Sequence, residues 1–118
     1  MMQKISGGLA AFTALVHIAV GTMDVMLPTL RSDLPPDVVG TLHACWHFVS
    51  VFLLASAFVF WRGGEAAKAF GWLWLAFAGV FVVAALWQSG VSGLMVLPQW
   101  VLLGPTGALA LWASRRGA

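Results

Sequence analysis

The chain has little charge. Lysine, arginine, aspartate and glutamate together make up 8% of its 118 residues, against roughly 25% in an ordinary soluble domain. It is also 61% hydrophobic, and a small domain buries only about 60–70% of its chain surface. A water-soluble globule is therefore excluded, and the apolar residues need hydrocarbon as their solvent. The net charge is only +2 and no long lysine/arginine run exists, which excludes a phosphate-tracking, nucleic-acid-binding role. Cys45 is the only cysteine, so no internal disulfide and no cysteine-based zinc motif can form. Tyrosine is absent. So are a nucleophile–histidine–acid arrangement, a phosphate-binding glycine loop and paired carboxylates, which leaves catalysis with little support.

What is present is a set of long apolar runs. About 20 mostly apolar residues cross ~30 Å of hydrocarbon as a helix. Segments 5–27, 38–61, 67–87 and 94–113 qualify. They are continuous rather than alternating, which favours helices over a barrel. The expectation is an all-α membrane protein: one domain over 1–118, a four-transmembrane-helix up-down bundle with short loops. The first run, Ile5 to Leu27, is longer than the ~7–15-residue core of a signal peptide and carries His17 and Asp24, so it reads as a retained helix.

The breaks have turn chemistry. Pro28 is expected to end the first helix, and Ser32-Asp33-Leu34-Pro35-Pro36-Asp37 to start the second, with Asp33 placed to cap and Asp37 set against the positive helix end. Gly63-Gly64 separates the second and third runs, and Ser89-Gly90 with Ser92-Gly93 the third and fourth. Lys4, Arg62, Lys68, Arg115 and Arg116 fall on one side, and Arg31 alone on the other. The basic side is the cytoplasmic one, so both termini are expected inside.

Seven tryptophans accompany these runs. Trp61, Trp72, Trp74 and Trp112 near the inner ends, and Trp87 and Trp100 near the outer ends, read as interfacial anchors. Trp46 lies deeper. Small residues mark expected helix contacts: Ala10, Ala14, Gly21 and Val25 on the first helix, Gly71, Ala78 and Ala85 on the third, Gly104, Gly107 and Ala108 on the fourth.

Ionisable residues inside spans are rare and usually face the bundle interior. Here they are His17, Asp24, His43 and His47. At helical spacing His17, Gly21 and Asp24 share one face, as do His43 and His47, while Cys45 and Trp46 point elsewhere. His17 lies about 15 Å below the outer surface and His47 about 14 Å, at 1.5 Å per residue. The two are thus expected level, His43 one turn nearer the outside opposite Gly21, and Asp24 at the mouth opposite Gly40. With Trp46, Gln88 and Gln99 these residues outline a blind pocket open to the outside.

Three readings of that pocket stay open. Three imidazoles and a carboxylate are a ligand set for divalent zinc, copper or iron, with the HxxxH pair His43/His47 presenting two ligands to one ion, His17 the third and Asp24 a fourth or supporting partner. A b-type haem held by His17 and His47 is a second. The third is a hydrogen-bonded polar core in a structural or accessory subunit. Convergent histidines separate a ligand site from a core in which they are paired and packed. Lipid is the expected partner, with a homo-oligomer or a larger membrane complex left open.

The segments Leu15-Val16-His17-Ile18, Asp33-Leu34-Pro35-Pro36, Cys45-Trp46-His47, Leu97-Pro98-Gln99-Trp100 and Ala108-Leu109-Ala110-Leu111-Trp112 resemble a group of small bacterial four-helix integral membrane proteins. The resemblance runs over nearly the whole chain. It implies topology and a bacterial source only, and no activity; the location expected of such a chain is the bacterial inner membrane.

Overall fold

Glycines set the turns. Gly63, Gly64 and Gly90 adopt φ of 76°, 83° and 62°, a left-handed region in which a Cβ is strained. The computed structural model describes residues 1–116, and outside these turns the described chain is helical except at its first residue, the 31–35 connection and the 97–99 turn. Helix α1 runs Met2–Leu30 and α2 Pro36–Arg62. Helix α3 is Gly64–Ser89, followed by a 3-10 turn, Gly90–Ser92, and a short helical piece, Gly93–Val96. Helix α4 is Trp100–Arg116.

Three segments, Met2–Leu30, Pro36–Arg62 and Gly64–Val96, are long and apolar enough to cross a membrane. The last helix has 17 residues, about 25 Å at 1.5 Å each. Its start differs from the expected run over 94–113. Leu97 leaves the helical region at φ −116° and ψ 74°, and Pro98, which lacks an N–H, follows in the turn. The surface is apolar almost everywhere, with Phe48 72% and Leu15 65% exposed. Such faces need hydrocarbon or another protein against them.

Helix α1 departs from the expected geometry. Over His17–Met26 it is π-helical, and the Leu27 N–H donates to the Thr22 carbonyl, five residues back. This wider turn is rare and mostly confined to single bulges. It also explains why Pro28 fails to end the helix. A proline clashes with the carbonyl four residues behind it, and five-residue hydrogen bonding leading into Pro28 moves that carbonyl aside. The helix continues to Leu30, where Thr29 Oγ1 donates to the Val25 carbonyl at 2.7 Å. Helix α2 begins behind Pro35 with no side-chain cap, so Asp33 does not cap it, while Asp37 occupies the first turn as expected.

The helices close a ring of neighbours, α1–α2–α3–α4–α1, with the broadest contacts between α1 and α2 and between α3 and α4. Glycine permits the closest approaches. A Cβ at Gly7 would lie 3.0 Å from the Trp61 nitrogen and 3.1 Å from the Ala57 carbonyl oxygen. A Cβ at Gly107 would lie 2.9 Å from both the Gly71 carbonyl oxygen and Trp74 Cβ. Without a hydrophobic drive between helices in lipid, such close packing carries much of the association energy. The Gln3 amide fills the place a Cβ at Gly63 would take, and Lys4 Nζ lies 5.7 Å above the Trp61 ring. The start of α1 therefore sits at the α2–α3 turn, and the pairing of Gly71 with Leu111 brings the end of α4 to the same side.

At that end the core is dense. Ala10, Ala14, Phe60, Trp74 and Ala110 are buried. Trp74, expected as an interfacial anchor, is instead wholly enclosed. Its Nε1–H donates to Ser56 Oγ at 2.8 Å, and Ser56 donates to the Phe52 carbonyl at 2.7 Å, so both buried polar groups are satisfied. The opposite halves of α1 and α2 are open. Between Val16 and Val25 on α1, and between Pro36 and Phe52 on α2, no residue is buried. Val25, expected in the packing strip, is exposed, because the π-helical turn carries it off the four-residue spacing of Ala10 and Ala14.

Candidate intramembrane histidine site

The open half holds all three histidines. His43 and His47 lie one turn apart on α2, and that spacing alone stacks their side chains on one face. Their Nε2 atoms are 3.0 Å apart and their rings 4.7 Å between centroids. Two neutral imidazoles at this distance share one proton, one Nε2–H donating to the other bare nitrogen. His43 is half-buried and His47 exposed.

His17 is held differently. Its ring stacks on the Trp46 indole with centroids 4.0 Å apart and planes at 21°. Its Nε2 lies 3.3 Å from the Trp46 carbonyl oxygen. A carbonyl only accepts, so this contact places the imidazole proton on Nε2. The same carbonyl accepts from Ser50 Oγ at 3.1 Å. His17 thus reaches α2 at the level of Trp46, beside His47 in sequence.

Trp46 is the side chain the helical wheel misplaced. Rather than pointing elsewhere, it meets α1. A Cβ at Gly21 would lie 2.7 Å from Trp46 Cη2 and 2.9 Å from Cζ2. Gly21 therefore makes room for the indole, not for His43, and the two α2 histidines lie on the flank of the α1–α2 contact. On the regular helix α2 Trp46 lies about 60–100° around from His43 and His47, and it is the Trp46 face, not the histidine face, that meets His17 and Gly21 of α1. No local pattern in the sequence announces which face of α2 turns to α1.

The remaining candidates stand apart. Asp24 is exposed. Gln88 lines an open groove of about 630 Å³ on α3 with Gly79, Val83, Ala84 and Trp87, and no histidine borders it. Gln99 is half-buried, and its Oε1 is enclosed without a hydrogen-bond partner among the described residues. Cys45 is exposed and unpaired. Among the described residues no three of His, Cys, Asp and Glu come together as a metal-ligand group. The structure brings together His43 with His47, and His17 with Trp46.

Comparison of the chain with known protein families, with curated proteins and with solved structures gives no match.

Proposed function

We propose that the chain is an integral membrane protein of a bacterial inner membrane, crossing the bilayer four times with both termini in the cytoplasm. We further propose that the His43/His47 pair binds a divalent transition metal from the outer side. Topology is supported by the five basic residues at the end of the bundle where α1 begins and α4 ends, against Arg31 alone at the other.

The observation that carries the metal reading is the 3.0 Å separation of the two Nε2 atoms. At metal–nitrogen distances of 2.0–2.1 Å, two nitrogens that far apart subtend about 90–97° at a common ion. That matches adjacent corners of the tetragonal geometry preferred by Cu²⁺ and Ni²⁺; tetrahedral Zn²⁺ needs about 3.3 Å. Copper also stands at the top of the affinity order for such ligands. The ion replaces the proton the two rings share.

Purified protein dialysed against Cu²⁺ tests this. Bound copper that His43→Ala and His47→Ala each remove supports the reading, and copper content unchanged in both variants sinks it. A second reading, a packed polar core without a ligand, is favoured at one residue. His17 stacks on Trp46 and bonds to its carbonyl, so His17→Ala is expected to lower stability and leave copper content unchanged.

A further inference from the structure

We infer that a second copy of this chain completes the histidine site, so that one ion is held by His43 and His47 of two protomers. The inference rests on the metal reading above and adds the source of the remaining ligands.

Two imidazoles fill half of a four-coordinate shell. Within one protomer nothing fills the other half. Among the described residues no third His, Cys, Asp or Glu joins the pair, and His17 Nε2 is engaged by the Trp46 carbonyl. The open half of the shell looks outward, because His47 is exposed. Imidazoles at that depth facing hydrocarbon are costly unless paired or covered.

The surface around the pair suits another α2. Gly40, His43, Ala44, His47 and Val51 fall within an arc of about 100° at helical spacing. Gly40, Ala44, His47 and Val51 are exposed and His43 is half-buried, and a Cβ at Gly40 would meet nothing within 4 Å. Gly40 and Ala44 form a small-xxx-small step, which lets two helix backbones approach closely in lipid. The histidines sit directly beside that step.

Depth selects the partner. Copies inserted with the same orientation carry His43 and His47 at the same level. A twofold axis along the membrane normal then sets pair against pair without any adjustment along the helix. Each copy covers the other's imidazoles and supplies two nitrogens, and the four together form the all-nitrogen set that a tetragonal ion takes. A lipid acyl chain on this face offers no ligand.

The test uses the full chain in detergent, titrated with Cu²⁺ alone. Expected are one ion per two chains, a paramagnetic resonance spectrum split by four nitrogens, and copper-dependent conversion of monomer to dimer in sedimentation. All three vanish in the His43→Ala/His47→Ala variant. One ion per chain, split by two nitrogens on a monomer, overturns the shared site while leaving copper binding at the pair intact. No copper binding overturns both. An independent arm needs no metal titration. Ala44→Cys in a Cys45→Ser background is expected to cross-link between chains in membranes on mild oxidation, whereas native Cys45, about 100° around the helix, does not. Cross-linking through Cys45 and not through Ala44→Cys places the interface on another face and overturns the inference.

Discussion

Adding one methyl group at Gly21 tests which face of α2 packs against α1. The new Cβ lies 2.7 Å from Trp46 Cη2 and 2.9 Å from Cζ2, well inside contact distance. The indole cannot simply swing away, because its face is stacked on His17 at 4.0 Å and such a stack is worth about 0.5–1.5 kcal/mol. Overpacking of this kind costs about 1–3 kcal/mol, and replacing a helical glycine with alanine returns up to about 1 kcal/mol of backbone propensity. Gly21→Ala is therefore expected to destabilise the protein by up to about 2 kcal/mol. In a Trp46→Ala background the clash is gone, and the same change becomes neutral or stabilising by up to about 1 kcal/mol. Unfolding in a mild detergent, followed by circular dichroism, gives all four corners of the cycle. Were the histidine face of α2 turned to α1 instead, Gly21 would face His43, and the coupling would appear with His43→Ala. Equal cost of Gly21→Ala with and without Trp46, or coupling to His43, refutes that packing.

Other substitutions probe other parts of the bundle. Ser56→Ala leaves the buried Trp74 N–H unsatisfied and is expected to cost about 1–3 kcal/mol, whereas Trp74→Phe removes the donor together with its need and costs less through lost hydrogen bonding; denaturation of the two variants side by side checks the order. Gly7→Val forces side-chain atoms into the backbone of Trp61 and Ala57, 3.0–3.1 Å from the first carbon, and a loss of at least about 1–3 kcal/mol is expected, whereas Gly8→Ala, where nothing lies within 4 Å, is tolerated. For topology, in a Cys45→Ser background, Ser32→Cys should react with a membrane-impermeant thiol reagent in intact cells and Glu65→Cys only after lysis. The opposite pattern reverses the orientation.

The helices and most of their ends were legible because they depend on composition. Long apolar runs have one stable form in lipid, and Gly63, Gly64 and Gly90 adopt the positive φ that their position in the breaks requires. The pairing of Gly71 with Gly107 follows from small residues placed to meet. Two features were not legible. Placing the site depended on a constant helical period, and the π-helical segment over His17–Met26 violates that period where His17, Gly21 and Asp24 lie. A constant period places these residues in one polar column, whereas the structure has a pair on α2 and a stacked ring on α1. Trp74 was misplaced for another reason. Its distance from the helix end matches that of an anchor, and the absence of a side chain on Gly107, where a Cβ would lie 2.9 Å from Trp74 Cβ, admits the indole to the interior.

The enclosure of Trp74 makes that residue a natural reporter. Trp61, Trp72, Trp87 and Trp112 are exposed on the outside of the bundle, and Trp46 and Trp100 are half-buried. Trp74 alone is sealed off and tethered to Ser56. A fluorescence quencher carried on lipid chains dims the outer indoles first and leaves Trp74 emitting. Its signal is lost when α3 parts from α2 and α4, so the dense end of this small bundle carries its own optical gauge of whether the helices are together.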